Sequence, residues 1–225
     1  MSDYTKFALV VAGGTGSRMN SPVAKQFMLL NGIPILMRTL DRFRQYDPQI
    51  KIILVLPSDQ IAYWKTLCST YHFDLKHTIV EGGETRSESV INGLNTITED
   101  GIVAIHDGVR PLVSLETIDR CFIGASHYGN AVPCIHIVDS LRQISLSGNS
   151  NADRNSFVII QTPQTFNIKD IKEAYSNHFK ISFTDDATVL EKNGGTVHLV
   201  EGNRENIKIT HTSDLLIAEA LIRLF

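Results

Sequence analysis

The apolar run Phe7-Ala8-Leu9-Val10-Val11 opens directly into Ala12-Gly13-Gly14-Thr15-Gly16-Ser17-Arg18-Met19. A short β-branched run that ends in glycines predicts a buried strand feeding a tight loop. Strands without polar alternation belong to sheets covered by helices on both faces, so this one stretch already narrows the fold. Glycines also let backbone N–H groups converge on one point, the geometry that holds a phosphate chain. The loop carries its own cation, Arg18, and Lys25 follows seven residues later. Alone, such a cluster reads equally as a surface turn with two solvated basic residues. A P-loop is excluded, because no Lys-Ser or Lys-Thr follows the glycines. The dinucleotide fingerprint fails at its third glycine, where Met19 stands.

The same rhythm recurs. Ile52-Ile53-Leu54-Val55-Leu56 ends at Pro57, Ile102-Val103-Ala104-Ile105 ends at His106-Asp107-Gly108, and Thr196-Val197-His198-Leu199-Val200 ends at Glu201-Gly202. Between these predicted strands, Leu115, Ile118 and Phe122 recur at helical spacing, as do Val90, Leu94 and Ile97. A last helix is expected after an N-cap at Thr212 or Ser213, with Leu215, Ala218, Leu221, Ile222 and Phe225 on one stripe. Strands alternating with helices imply a mostly parallel α/β sheet with helices on both faces. In such sheets ligands bind beyond the carboxyl ends of the strands, where residues 13–18 and 107–110 become neighbours.

One region departs from the pattern. Residues 135–160 read as a strand, a polar tip Ser147-Gly148-Asn149-Ser150-Asn151 with Gly148-Asn149 as the turn, and a returning strand Phe157-Val158-Ile159-Ile160. A protruding β-arm at about 136–158 needs a second surface for its apolar residues, and another subunit would supply it. A loose surface hairpin fits the pattern as well.

Composition bounds the partners. With 225 residues, 43% hydrophobic and 20% charged, the chain is expected to form one globular domain over 1–225. A net charge of −3 argues against a nucleic-acid binder but allows a locally positive pocket. Cys68, Cys121 and Cys134 are widely spaced in apolar surroundings, which predicts buried thiols in a reducing compartment. No leader pattern or membrane-length apolar run is present, so a soluble cytoplasmic protein without membrane partners is expected.

Several polar clusters occupy predicted loops. In His106-Asp107-Gly108-Val109-Arg110-Pro111, Asp107 is a candidate ligand for Mg2+ or a ribose hydroxyl, and Arg110 offers a planar fork for phosphate. A salt-bridged pair closing a loop, beside a structural His106, is the plainer reading. Glu81-Gly82-Gly83-Glu84-Thr85-Arg86-Ser87-Glu88-Ser89 is a glycine turn entering a helix, able to read a base edge or simply to cap through Thr85 or Ser87. Lys208 alternates with Ile207 and Ile209 and points away from both, as an edge-strand lysine also would.

Taken together, G-G-T-G-S-R-M with Lys25, G-G-E-T-R-S-E-S, H-D-G-V-R-P, V-D-S-L-R, D-R-N, T-P-Q, T-D-D-A and E-G-N-R-E-N-I-K-I-T resemble the 2-C-methyl-D-erythritol 4-phosphate cytidylyltransferases of non-mevalonate isoprenoid synthesis. The resemblance spans essentially the whole chain. It implies a glycosyltransferase-A-like, Rossmann-like fold, a homodimer joined by the arm, and CTP with Mg2+ as nucleotide substrate. It further implies that Arg18 and Lys25 act at the α-phosphate, cradled by Ala12, Gly13, Gly14, Thr15 and Gly16. Arg154, from the partner's arm, and Lys208 would position the sugar-alcohol phosphate. Asp107, Arg110, Ser140 and Thr184 would contact the acceptor, Gly83, Glu84 and Ser89 would read cytosine, and Thr162 would line the substrate site. Ala24 precedes Lys25 where the family usually has proline, Ser140 stands where it usually has threonine, Arg142 where it often has lysine, and Gly108-Val109 where two alanines are commoner. The departures near the acceptor leave ribitol-5-phosphate cytidylyltransferase as an alternative. A catalytically silent nucleotide-binding module is the other.

Overall fold

The computed structural model describes residues 4–13, 23–178 and 183–224. Its strands are β1 (Lys6–Val11), β2 (Leu29–Leu30), β3 (Ile33–Pro34), β4 (Lys51–Leu56), β5 (Thr78–Glu81), β6 (Ile102–Asp107), β7 (Asn130–His136), β8 (Leu141–Ser145), β9 (Gly148–Ala152), β10 (Val158–Ile160), β11 (Gln164–Asn167) and β12 (Leu199–Glu201). Its helices are α1 (Ile35–Tyr46), α2 (Ser58–Thr70), α3 (Arg86–Asn95), α4 (Leu115–Tyr128), α5 (Ile168–Asn177), α6 (Asp186–Lys192) and α7 (Thr212–Leu221).

Three of the predicted strands form β1, β4 and β6, paired in parallel with β1 in the middle and β5 added outside β4. β11 enters antiparallel between β6 and β7. β10 joins β7 antiparallel and β12 joins it in parallel, so the sheet is mixed but mostly parallel. Alternate residues of β1 divide between two cores, as the period of a strand requires. Ala8 and Val10 face α1, α2 and α4 through Leu40, Phe43, Trp64 and Phe122. Phe7 and Leu9 face α3, α5 and α6 through Val90, Leu94, Ile171 and Val189. Helices therefore cover both faces. No described helix is long and apolar enough to cross a membrane.

Caps fix where the helices start and stop. Ser114 accepts from the Thr117 amide at the start of α4, and Gly129, at φ 81°, ends it in the left-handed conformation. The expected cap of α7 at Thr212 or Ser213 falls one residue earlier, at His211. Asp214 decides this, because its Oδ2 accepts the amides of both Thr210 and His211, each at 2.8 Å. Ala218 is buried there, and Leu215, Leu221 and Ile222 pack partly against the same cluster.

Other expectations shift. In the stretch 196–200, pairing starts only at Leu199. The β-arm is present as the β8–β9 hairpin, but its turn lies at Leu146-Ser147, and Gly148-Asn149 begin the returning strand. Of the cysteines, Cys121 is buried and burial pushes its thiol up to about 12, whereas Cys68 and Cys134 are partly exposed.

Candidate active site

The carboxyl ends of β1, β4 and β6 converge because their registers match. Val11 pairs with Asp107 across β1 and β6. The Ala12 amide donates to the Val55 carbonyl at 3.0 Å, the Gly82 amide to Leu56 at 2.8 Å, and the Gly108 amide to Val11 at 2.9 Å. These bonds carry the pairing into the loops and open a cleft of about 220 Å³. Ala12, Gly13, Lys25, Gly83, Glu84, Ser89, Asp107 and Lys208 all line it, so eight residues singled out in the sequence meet in one place.

Lys25 begins a single 3-10 turn, Lys25–Phe27. The next residue, buried Gln26, donates through Nε2 to the Ala12 carbonyl at 2.9 Å and to Gln60 Oε1 at 2.6 Å. That ties the Lys25 segment to the first loop. Across the cleft, Thr85 caps α3 by accepting from the Glu88 amide. The Gly83 amide donates to Ser89 Oγ at 3.1 Å, and the Glu84 amide to Glu88 Oε2 at 2.8 Å. Gly83 is required: a Cβ there would lie 2.3 Å from Glu88 Cβ. The result is a rigid, narrow edge able to meet a planar base at close range.

Asp107 organises the cations. Its Oδ2 accepts from Arg110 Nε at 3.0 Å and pairs with Lys208 Nζ at 3.1 Å, while Arg86 Nε stands 3.9 Å from Oδ1. Burial alone would raise the Asp107 pKa, but Lys208, Arg110 and Arg86 outweigh it and hold the carboxyl well below the usual carboxylate range. Arg110 also donates from Nη1 to the Asn206 carbonyl at 2.8 Å. The salt-bridged loop and the cation-lined site are thus the same structure. Lys208 reaches it as its alternation predicts, with Ile209 fully buried on the opposite side, although 207–209 pairs with no strand.

His106 is structural, fully buried behind this cluster. Its Nε2 faces the Arg110 carbonyl at 3.1 Å, which can only accept, so Nδ1 accepts from Thr162 Oγ1 at 3.0 Å. Thr162 in turn accepts the Asp107 amide at 3.1 Å. Thr162 therefore buttresses the site from behind and does not line the cleft. Burial pushes His106 down to about 4, so it stays neutral at neutral pH.

Four of the remaining residues stand apart from the cleft within this chain. Thr184 is exposed just before α6, whose cap is Asp185. Ser140 is exposed at the base of the arm, and Arg154 is exposed after β9, donating to the Val138 carbonyl. Arg110 is not on the cleft wall but is fixed to Asp107. Arg18 with Gly14, Thr15 and Gly16 lies outside the described residues.

Sequence reasoning missed Arg86. It lines the cleft and forms a two-point pair with buried Asp186, Nη1 to Oδ1 at 2.9 Å and Nη2 to Oδ2 at 2.6 Å. The signal available was a cation in the first turn of α3, where the helix dipole disfavours one.

The chain is similar to proteins of one known family. The IspD family, described as 2-C-methyl-D-erythritol 4-phosphate cytidylyltransferase, matches residues 7–224. A protein of that name from Bacteroides fragilis is 50% identical over 215 residues, covering 96% of this chain and 98% of its own. One from Porphyromonas gingivalis is 48% identical over 221 residues, covering 98% and 99%. Among solved structures, 4-diphosphocytidyl-2C-methyl-D-erythritol synthase from Anaerococcus prevotii superposes with a TM-score of 0.85 at 27% identity, covering 98% of this chain and 96% of that one. The Francisella tularensis cytidylyltransferase gives 0.79 at 30% identity, with 96% and 99% covered.

Proposed function

This chain belongs to the 2-C-methyl-D-erythritol 4-phosphate cytidylyltransferase family, and from that membership we propose how its cleft moves a cytidylyl group from CTP to 2-C-methyl-D-erythritol 4-phosphate. The products are 4-diphosphocytidyl-2-C-methyl-D-erythritol and pyrophosphate. A phosphate oxygen of the acceptor attacks the α-phosphorus of CTP. That oxygen ionises with a second pKa of about 6, so the reaction needs no side-chain base. What it needs is relief from repulsion, since the two substrates bring roughly five or six negative charges together. Positioning and preorganised cations then supply the catalysis.

One observation carries the proposal. Asp107, on the cleft wall, holds both Lys208, which lines the cleft together with Lys25, and Arg110, which does not line it. Arg86, Arg110 and Lys208 meet the two carboxylates of Asp107 and Asp186, and Lys25 and Glu84 line the same cleft. The basic side chains stand where anions would meet. Lys25 with Arg18 would steady the α-phosphate beside Gly13, Gly14, Thr15 and Gly16. Lys208 and Arg110 would receive the acceptor phosphate, with Thr184 at its far end. Gly83, Glu84 and Ser89 would read the cytosine edge. Mg2+ belongs with CTP as part of the nucleotide substrate. Asp107 does not fit as its ligand, because both carboxylate oxygens face cations.

Ser140 and Arg154 would enter from a second copy. Val138 is 58% exposed, Ile144 78%, Phe157 51% and Ile159 48%, an apolar surface that a homodimer formed through the arm would cover. A cytoplasmic enzyme fits this chemistry, since CTP is an intracellular nucleotide.

The test is pyrophosphate release from CTP and Mg2+ with a panel of acceptors. Methylerythritol phosphate should exceed ribitol 5-phosphate by at least about 100-fold in kcat/KM, the discrimination expected when an acceptor misses designed polar contacts. Equal rates, or ribitol 5-phosphate leading, would overturn the acceptor assignment. Binding of CTP without release under any acceptor would favour a silent module.

A further inference from the structure

We infer that Arg86 is a positioning residue that locks the nucleotide side and the acceptor side of the cleft into one geometry, by pairing with Asp186 while facing Asp107. The inference rests on the cytidylyl-transfer reading above.

Arg86 and Asp186 are the first residues of α3 and α6. The α3 side carries Gly83, Glu84 and Ser89, and the α6 side carries Thr184. A cation in the first turn of a helix opposes the macrodipole, and although Glu88 lies in the same turn, the carboxylates that pair with Arg86 come from outside α3. Asp186 pairs through both oxygens, and it is 0% exposed. Its surroundings fix it as well. Tyr175 Oη donates to Asp186 Oδ1 at 2.5 Å, and Gln164 Oε1 accepts the amides of Asp186 and Ala187 at 2.9 and 2.8 Å. A guanidinium held at two points on an immobile carboxylate has its plane set.

That plane presents Nε to Asp107 Oδ1, on the side of the carboxylate away from Arg110 and Lys208. At 3.9 Å, Arg86 adds a charge that biases the orientation of the Asp107 carboxylate, the group that Lys208 and Arg110 both contact. Lysine at position 86 keeps the charge but offers one point in place of a fork, so it cannot hold Asp186 twice and also face Asp107.

The consequence is a specific split in kinetics. In Arg86→Lys, the acceptor KM should rise and kcat should fall, each about tenfold, because Asp107 and its cations lose their setting. CTP affinity measured without acceptor should stay within about threefold, because Thr85 caps α3 and Ser89 braces Gly83 independently of the pair. Tyr175→Phe, which removes only the hydroxyl donor to Asp186, should move the same constants in the same direction by less. A merely structural role for Arg86 predicts otherwise: a smaller active fraction, lower CTP stoichiometry and unchanged KM values. Wild-type acceptor kinetics in a folded Arg86→Lys protein, or loss of CTP binding equal to loss of acceptor binding, would overturn the inference alone. A wild-type protein that transfers no cytidylyl group would overturn the parent reading and this inference with it.

Discussion

The Asp107 cluster and the β8–β9 arm solve opposite problems. Around Asp107, polar groups are partnered within the chain: one carboxylate receives three cations, its amide is taken by Thr162, and Thr162 is taken by His106. On the arm, Ile144 is 78% exposed and Leu146 fully so, although apolar side chains are the ones that gain most from burial. Preorganisation that must act on arriving charge has to exist before the substrate does. Under the proposed homodimer, the arm's apolar surface stays uncovered until a second copy arrives. The cluster is therefore expected to fail chemically when altered, and the arm to fail by assembly.

The largest effect tests the cluster side. Lys25→Ala should lower kcat by about 100-fold or more, the usual loss for one preorganised contact, with an unchanged unfolding midpoint. Near-normal turnover would remove Lys25 from the chemistry. Arg154→Ala then tests whether the arm belongs to the same site. Each variant should be inactive alone, yet mixing the two should restore activity, because one of the two clefts in a mixed dimer holds an intact Lys25 and receives an intact Arg154. No recovery after subunit exchange would confine Arg154 to its own chain.

Ile144→Asp addresses assembly alone. Sedimentation should show dissociation to monomer at concentrations where the unaltered protein is dimeric, and activity should fall in parallel. An unchanged mass for this variant would show that the arm covers nothing.

A smaller effect probes the scaffold by pH. The folded-state pKa of His106, about 4, lies below the ordinary 6.5, so the unfolded chain binds this proton first as the pH falls. The contribution is whole above about pH 6.5 and drains away toward pH 4, roughly 3 kcal/mol in all. Urea unfolding between pH 7 and 5 should therefore show a shallower pH slope in His106→Gln by about 0.9 kcal/mol per unit on average. Equal slopes would contradict a neutral, buried imidazole. Smallest is Gly108→Ala. A Cβ there would lie 2.8 Å from Ala12 Cβ, so a loss of about 1–2 kcal/mol is expected by thermal unfolding, with a modest rise in the KM for CTP.

The strands of the sheet were legible because burial on both faces forbids polar alternation, and β1, β4 and β6 show none. Their order was not, since pairing depends on contacts far apart in sequence. The turn of the arm was misplaced for a related reason: Gly148-Asn149 has turn chemistry, yet the pairing of Ser145 with Gly148 leaves Leu146-Ser147 as the tip. In the site, Gly83, Asp107 and Lys208 were legible through motifs whose function is local. Arg86 was not, because its meaning comes from Asp186, 100 positions away. Thr162 showed no such local signal for its hydroxyl, which is bonded to the Asp107 amide and the His106 imidazole behind the cleft.

Thr162 and Gln164 stand two residues apart where the chain bends into β11, one anchoring the Asp107 amide and the other the Asp186 amide. A single stretch of chain thus works as a jig for both carboxylates, and inserting or deleting one residue there would misalign the two at once. Thr184, Ser140 and the hairpin lie outside that jig, so a change there leaves the setting of both carboxylates intact.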